Sequence, residues 1–339
     1  MTDVAVDMTI PMIDISGYLA GADATSTIEA VRDACERVGF FLVTGHGIDQ
    51  ALFGGVVDSM MGLAALPESE LAALASPTGH PFRGVIVKRN ESGDVTSLRM
   101  QANRFENPRD AVAHGVPVAF ADYFHPNVWP HQIPEFRAAW RSCMMATREV
   151  GRHIMALFAL ALDLPSDYFH SALELDVTAL SANWYPSQRT LSTGDAPAVI
   201  LPAHEDSGVL TLLYQGGDYT GLQLHTAAGM WVDVPVVAGS LVINIGDLMT
   251  RWTNGRWQST THRVIASAEP GRSRVSIPTF YLPAVDTVVA PLPHCVGADG
   301  PQYAATTPYE YEAEFFRKPE EVEELGEHPG RLLLQQRTM

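Results

Sequence analysis

The chain has 339 residues and a formal net charge of −17, a balance that disfavours nucleic acid or an anionic membrane as a partner. Its 46% hydrophobic content with 18% charged residues is that of a soluble globular protein with a large core. The longest apolar run, Ile154 to Leu162, falls far short of the roughly 20 residues of a membrane span; three widely spaced cysteines, Cys35, Cys143 and Cys295, with no signal peptide before them, point to reduced thiols in a cytoplasmic protein.

Residues 1 to 9 read as a loose tail. Ser26-x-x-Glu29 is a capping-box signature, and Ile28, Val31, Cys35 and Val38 follow at helical spacing, so a helix is expected up to Gly39. Phe40 to Thr44 reads as a buried strand. A second helix is expected over Gln50 to Leu66, ended by Pro67, and a short one over Glu68 to Leu74. Phe82 to Arg89 and Val95 to Phe105 flank the turn signal Asn90-Glu91-Ser92-Gly93-Asp94 and form a hairpin candidate. Pro134 should open the longest helix, running to about Leu162 before Asp163 and Pro165 end it.

From residue 178 the texture changes to short β-rich runs: Leu180 to Tyr185, Val209 to Tyr214, Leu222 to His225, Met230 to Val234, Leu241 to Ile245, Gln258 to Ile265 and Val275 to Tyr281. They alternate with Gly-containing turns such as Gln215-Gly216-Gly217-Asp218. Many short strands with regular turns indicate an all-β sandwich or barrel. Pro278 inside the last run cannot donate to a ladder, which suggests an edge or a bulge.

The chemistry concentrates in this half. His204-x-Asp206 is close to a chance match on its own. If it lies on a strand, residues i and i+2 face the same side, and both can reach one metal while Glu205 points away. His262, in Thr261-His262-Arg263-Val264, supplies a second imidazole. Two nitrogens and one carboxylate on one face of a ferrous ion form a facial triad, with positions left open for an oxidant and a second ligand. Downstream, Arg274 and Ser276 are again an i, i+2 pair, so a guanidinium and a hydroxyl can clamp a carboxylate. Arg272 has Arg274, not a hydroxyl, two residues on, so the register is unambiguous.

With these motifs the sequence resembles the iron(II)- and 2-oxoglutarate-dependent dioxygenases of the isopenicillin N synthase-like branch. The runs carrying the resemblance are LPAHEDSG (201–208), GSLVINIGD (239–247), TNGRWQSTTHRV (253–264), RVSIPTFY (274–281), IPMIDI (10–15), VGFFLVTGHGI (38–48) and Asn183-Trp184-Tyr185-Pro186. Glu205 and the twelve-residue interval between His262 and Arg274 depart from the pattern. The extra length falls in the turn-like stretch Ala268 to Arg272.

The resemblance implies a mainly β fold with flanking helices, a double-stranded β-helix (jelly roll) core and a helical N-terminal region. It divides the chain into an N-terminal helical and mixed domain (1–120), a long supporting helix (121–177), a jelly-roll oxygenase domain (178–290) and a C-terminal helical tail (291–339). It further implies Fe(II) held by His204, Asp206 and His262, and 2-oxoglutarate chelating that iron. Arg274 and Ser276, with Tyr185, hold the distal carboxylate in this reading, and Asn183 sits near the chelating end. Dioxygen and a small-molecule substrate complete the reaction, giving succinate, carbon dioxide and an oxidised product. The retained Asp206 argues against halogenation.

Substrate contacts are expected from the hairpin at 82 to 105, which carries Arg83, Lys88, Arg89, Arg99 and Arg104 in an acidic chain, and from Met249, Phe280 and Tyr281. A cationic mouth would suit a carboxylated substrate; a solvated charged hairpin is the plainer reading. His46, His225 and His294 are expected to be packing or surface residues, and Glu310 to Glu327 a solvated helical face. Two rival readings are a relative of the isopenicillin N synthase type that oxidises or cyclises without 2-oxoglutarate, and a binding protein without catalysis. Asn183-x-Tyr185 favours the 2-oxoglutarate users, and the intact triad disfavours the binder.

Overall fold

A computed structural model describes residues 9–187, 198–217, 220–267 and 271–315. Among the described residues there are twelve strands: β1 (Met12–Asp14), β2 (Phe40–Thr44), β3 (Gly84–Arg89), β4 (Val95–Asn103), β5 (Ala179–Tyr185), β6 (Val199–His204), β7 (Leu210–Gly216), β8 (Leu222–His225), β9 (Trp231–Asp233), β10 (Leu241–Ile245), β11 (His262–Ile265) and β12 (Arg274–Tyr281). They form an eight-stranded sheet in the order β1-β2-β10-β7-β12-β5-β4-β3 and a four-stranded sheet in the order β6-β11-β8-β9. Strands from the first hundred residues therefore flank both sides of the large sheet's later-sequence centre.

Alternation along the strands sorts the two faces of the large sheet. Phe41, Val43, Leu212, Ile243, Ile277 and Tyr281 pack into the main hydrophobic core together with the helices. Their neighbours one residue away, Leu42, Leu213 and Val242, turn the other way and meet Leu222, Leu224 and Val264 of the small sheet. Period-two patterning thus builds a helix-backed sheet whose other face packs on a second sheet. The long helix Phe136–Ala161 supplies much of the backing. Its Gly151 lies close enough to the large sheet that an added Cβ would sit 3.5 Å from Leu212 and Tyr281, and Thr279 Oγ1 on β12 donates to Thr147 Oγ1 at 3.0 Å.

The expected helices appear with shifted ends, as Thr25–Arg37, Gln50–Ala64 and Glu68–Ala73. Ser26 does not cap. The first of these helices begins at Thr25 with no side-chain cap on Ala24, because Asp23 accepts from both the Thr25 amide (3.0 Å) and its hydroxyl (2.7 Å) one turn earlier. Pro278 is not at an edge either. β12 lies between β7 and β5; its pairing with β7 is continuous, and the pairing with β5 skips Ile277 and Pro278, where the missing N–H falls. The strand expected over Gln258 to Ile265 is confined to β11, since Ser259 and Thr260 bond instead to Thr250 Oγ1 and Val38 O. The tail at 1–8, Asp218, residues 268–270 of the long turn and the acidic segment from 316 lie outside the described residues.

A buried charge cluster anchors the end of the sheet to the long helix. Asp176 is fully buried; it binds Arg148 through both carboxylate oxygens and Arg104 at 3.1 Å, and accepts from the Thr178 amide. Arg104 also donates to the Glu174 and Asp176 carbonyls. Contrary to the expectation of a substrate contact, Arg104 is thus spent on structure. Replacing one partner of a buried ion cluster strands the others, at a cost of about 3–5 kcal/mol. Asp176→Asn is therefore expected to lower stability by roughly that amount, read as a shift of the denaturant midpoint at unchanged slope.

Candidate iron and co-substrate site

His204 and His262 are directly paired residues on β6 and β11 of the small sheet. Their ring centroids lie 4.3 Å apart. Each Nδ1 lies against a backbone carbonyl, His204 against Pro202 O at 2.8 Å and His262 against Thr260 O at 3.0 Å. A carbonyl can only accept, so both Nδ1 atoms carry the proton and both Nε2 lone pairs are left for a metal. Asp206 Oδ1 lies 3.9 Å from each Nε2. The three groups place one ligand atom each within 4.8 Å of one another. Phe40 packs edge-on to the His262 ring at 5.4 Å and fixes its plane.

Asp206 does not reach the site from a strand. β6 ends at His204 and the chain turns, the Asp206 carbonyl accepting from the Asp247 amide at 2.8 Å. The turn packs so tightly on Gly246 that a Cβ there would lie 2.2 Å from Gly208 O and 2.9 Å from Asp206 O. Glu205 leaves the triad as expected, accepting from Thr261 Oγ1 at 2.8 Å. The second oxygen of Asp206 is claimed by the large sheet: Thr211 Oγ1 donates to Oδ2 at 2.6 Å and Asn244 Nδ2 at 2.8 Å. One oxygen is held and the other is presented.

Electrostatics agree with a metal-binding donor set. Burial foremost, then repulsion between the two rings were both to be protonated, pushes His204 down to about 4, so it is neutral at neutral pH. Burial would raise Asp206, but the two imidazoles, followed by the Thr211 and Asn244 bonds, hold it below the usual carboxylate range. Neutral imidazoles and an ionised carboxylate are what a divalent ion requires, and the residues present fit Fe(II).

The co-substrate residues lie on the same face of the large sheet, in rows set by register. Arg274 pairs with Tyr185, and Ser276 pairs with Asn183 on β5 and with Gln215 on β7. Arg274 is 1% exposed, donates to Gln215 Oε1 at 3.3 Å and lies over the Tyr185 ring at 5.8 Å. Burial raises the Tyr185 hydroxyl, which Arg274, Arg99 and a bond with Ser276 partly offset. Arg99 stands opposite Asn183 across β4 and β5. Two rows further along, Phe280, Thr211, Asn244 and Phe40 are in register across four strands. The face that holds Arg274 and Ser276 therefore also holds the residues that grip Asp206.

That parity sorts the remaining candidates. Phe280 shares the site face and packs on a small cluster with Phe105, Phe124 and Leu282. Tyr281 is one residue out of phase, fully buried in the helix-side core, and Met249 is likewise fully buried there; neither is a substrate contact. Arg83 is buried and donates to Phe82 O at 2.9 Å. Arg89 on the hairpin pairs with Glu68. His46 is buried, its Nδ1 accepting from the Ile48 amide, and His225 packs against Trp231. Thr211, Asn244 and Gln215 were not among the sequence candidates, and Arg99 was named only as one of the hairpin charges. The signal for two of them was present: Thr211 and Asn244 are lone polar residues in the apolar runs Val209 to Leu213 and Leu241 to Ile245.

The family described as the 2OG-Fe(II) oxygenase superfamily matches residues 178–283, and the N-terminal region described as non-haem dioxygenase in morphine synthesis matches residues 10–132. The chain belongs to this superfamily and is a 2-oxoglutarate-dependent dioxygenase with Fe(II) as its metal and a small molecule as its substrate. Among curated relatives, the 2-oxoglutarate-Fe(II) type oxidoreductase hxnY of Emericella nidulans is 33% identical over 88% of this chain and 86% of its own length. Flavanone 3-dioxygenase 2 of Oryza sativa subsp. japonica is 30% identical over 93% of this chain and 84% of its own. A solved structure of a Caulobacter crescentus protein assigned to the 2OG-Fe(II) oxygenase family superposes with a TM-score of 0.79 at 28% identity, covering 90% of this chain and 98% of that one.

Thr211→Val keeps the shape and removes a donor to the charged form of Asp206. Its pKa then rises, protons compete better with the metal, and Fe(II) affinity is expected to fall about 10–100-fold. Because Asp206 binds metal only above its pKa, the pH at which half the metal is released should move upward. Metal titration of wild type and variant across pH 4–8 measures both effects.

Proposed function

We propose that this dioxygenase hydroxylates a small-molecule metabolite with dioxygen as oxidant, through a facial triad of His204, Asp206 and His262 inside a double-stranded β-helix built from β5 to β12. The observation that carries the residue assignment is the shared sheet face, on which the Ser276 and Arg274 rows stand two and three rows from the Thr211 and Asn244 row that grips Asp206. Bound Fe(II) and 2-oxoglutarate supply the oxidising power, with succinate and carbon dioxide as co-products. The protein's own residues then have separable tasks. Arg274 and Ser276 hold the distal carboxylate of 2-oxoglutarate by charge-assisted bonds, and Gln215 orients the guanidinium. Tyr185 closes the same end with its hydroxyl, and Asn183, paired with Ser276, lies toward the chelating end. The Pro202 and Thr260 carbonyls keep both imidazoles in the tautomer that offers Nε2.

Wild-type enzyme reconstituted anaerobically with Fe(II) and then given oxygen should convert 2-oxoglutarate slowly to succinate without substrate, and His262→Ala should abolish this. Arg274→Lys keeps the charge and loses the planar fork. Its KM for 2-oxoglutarate is expected to rise about 10–100-fold, the range of a lost charged hydrogen bond. A KM unchanged in Arg274→Lys would remove that residue from the co-substrate site.

A further inference from the structure

The hairpin charges that the sequence grouped together have separated. Arg104 is bound by Asp176 and Arg89 by Glu68. Arg83 is 4% exposed, and among the described residues its hydrogen bond is to a neutral partner, the Phe82 carbonyl, with Nε lacking any. No described carboxylate lies within ion-pair distance of it. The acidic groups whose charge acts on it are Tyr123 and then Glu312, the latter from the helix Pro308–Phe315. The oxygens of Glu312 are taken by hydroxyls instead, Oε2 by Tyr123 and Oε1 by Ser207 at 3.3 Å. A guanidinium out of water with only a carbonyl partner is costly unless an anion joins it.

Its position is fixed from two sides. Phe82, the preceding residue, lies under the Arg99 guanidinium at 4.4 Å, and Arg99 stands opposite Asn183 in the co-substrate row. On the other side Glu312 touches Ser207, the residue after Asp206. Arg83 thus follows a residue that packs under a guanidinium of the co-substrate row, and it feels the charge of an acid that touches the turn presenting the metal-binding carboxylate. A planar fork there matches a carboxylate in two parallel bonds. The negative Glu312 nearby disfavours a dianion such as a phosphate monoester and tolerates a monoanion.

We propose that Arg83 is the substrate-anion residue of this site, and that the substrate class is a small monocarboxylate whose carboxylate pairs with the Arg83 guanidinium while the bond to be oxidised faces the triad. This rests on the reading of the site as a 2-oxoglutarate dioxygenase. Glu312 and Tyr123 set the other wall of the subsite, so the helix Pro308–Phe315 contributes to selectivity from its side.

The test uses matched probes on the anaerobic enzyme loaded with Fe(II) and 2-oxoglutarate: benzoate, phenylacetate, cinnamate and hexanoate, each against its primary amide, by calorimetric titration. In wild type at least one carboxylate should bind tenfold or more tightly than its amide. In Arg83→Gln the gap should shrink below threefold, and Arg83→Lys should restore part of it. Glu312→Gln, which removes the neighbouring negative charge, should widen the gap and serves if Arg83→Gln does not fold by its melting curve. No carboxylate binding, equal binding of acids and amides in wild type, a gap that persists in folded Arg83→Gln, or a gap that narrows in Glu312→Gln would each overturn the proposal. Succinate formation by wild type without any probe is measured in parallel: its loss would sink the underlying dioxygenase reading, whereas its presence with a failed titration sinks only the role of Arg83.

Discussion

The two hydrogen bonds on Asp206 Oδ2 tie the site to the fold. The imidazoles belong to the small sheet, and the donors Thr211 and Asn244 belong to the large one. The carboxylate that stands between them comes from a turn with no strand of its own. Without those donors a buried carboxylate between two sheets would be free to rotate, and its burial would be uncompensated. With them, the spacing of the sheets and the geometry of the metal ligands become one constraint. The close approach at Gly246 follows from it: the turn must reach the large sheet, and backbone meets backbone there with no room for a side chain.

Strand parity carries the same constraint to the other end of the site. On β12 the odd-numbered residues Val275, Ile277 and Tyr281 are core, packed with the helices. The even-numbered Arg274, Ser276 and Phe280 are turned toward the second sheet. The buried guanidinium there meets the Gln215 Oε1 acceptor and the Tyr185 ring face. Pro278 fits this face for a simple reason: its position skips a bond to β5 and leaves the ladder to β7 whole.

Much of this was legible in the sequence. The period of two, the His-x-Asp, His and Arg-x-Ser order, and the turn chemistry predicted β2, β8 and β10 to the residue and seven further strands to within a few, while β1 and β6 were not delimited as strands. What escaped was tertiary in origin. Ser26 had the right spacing for a cap, but the helix already runs through it, the Ile28 amide bonding to the Ala24 carbonyl. Asp206 looked like a strand residue because His204 is one, yet the strand ends between them. Met249 and Tyr281 were assigned by proximity in sequence, and only the register of Tyr281 and the packing of the short helix Asp247–Trp252 show that both lie in the helix-side core. Thr211 and Asn244 could have been found by asking why an apolar strand keeps a single hydroxyl or amide, since an unpartnered polar group there would be costly.

The hairpin arginines show where sequence reasoning must stop and energetics begin. Arg83, Arg89 and Arg104 share one hairpin, one charge and similar flanking residues, so composition treats them alike. Their surroundings separate them. Arg89 is paired on an exposed edge, where an ion pair is worth little and constrains little. Arg104 is neutralised by a fully buried carboxylate and joins the scaffold. Arg83 is buried as deeply as a core residue, while Glu312, whose charge acts on it, is already engaged by two hydroxyls. Burial with no counterion among the described residues is unfavourable in the resting protein, a cost that an arriving anion would offset. Charge in a hairpin therefore marks a binding group only where the fold has removed water from it and withheld its partner.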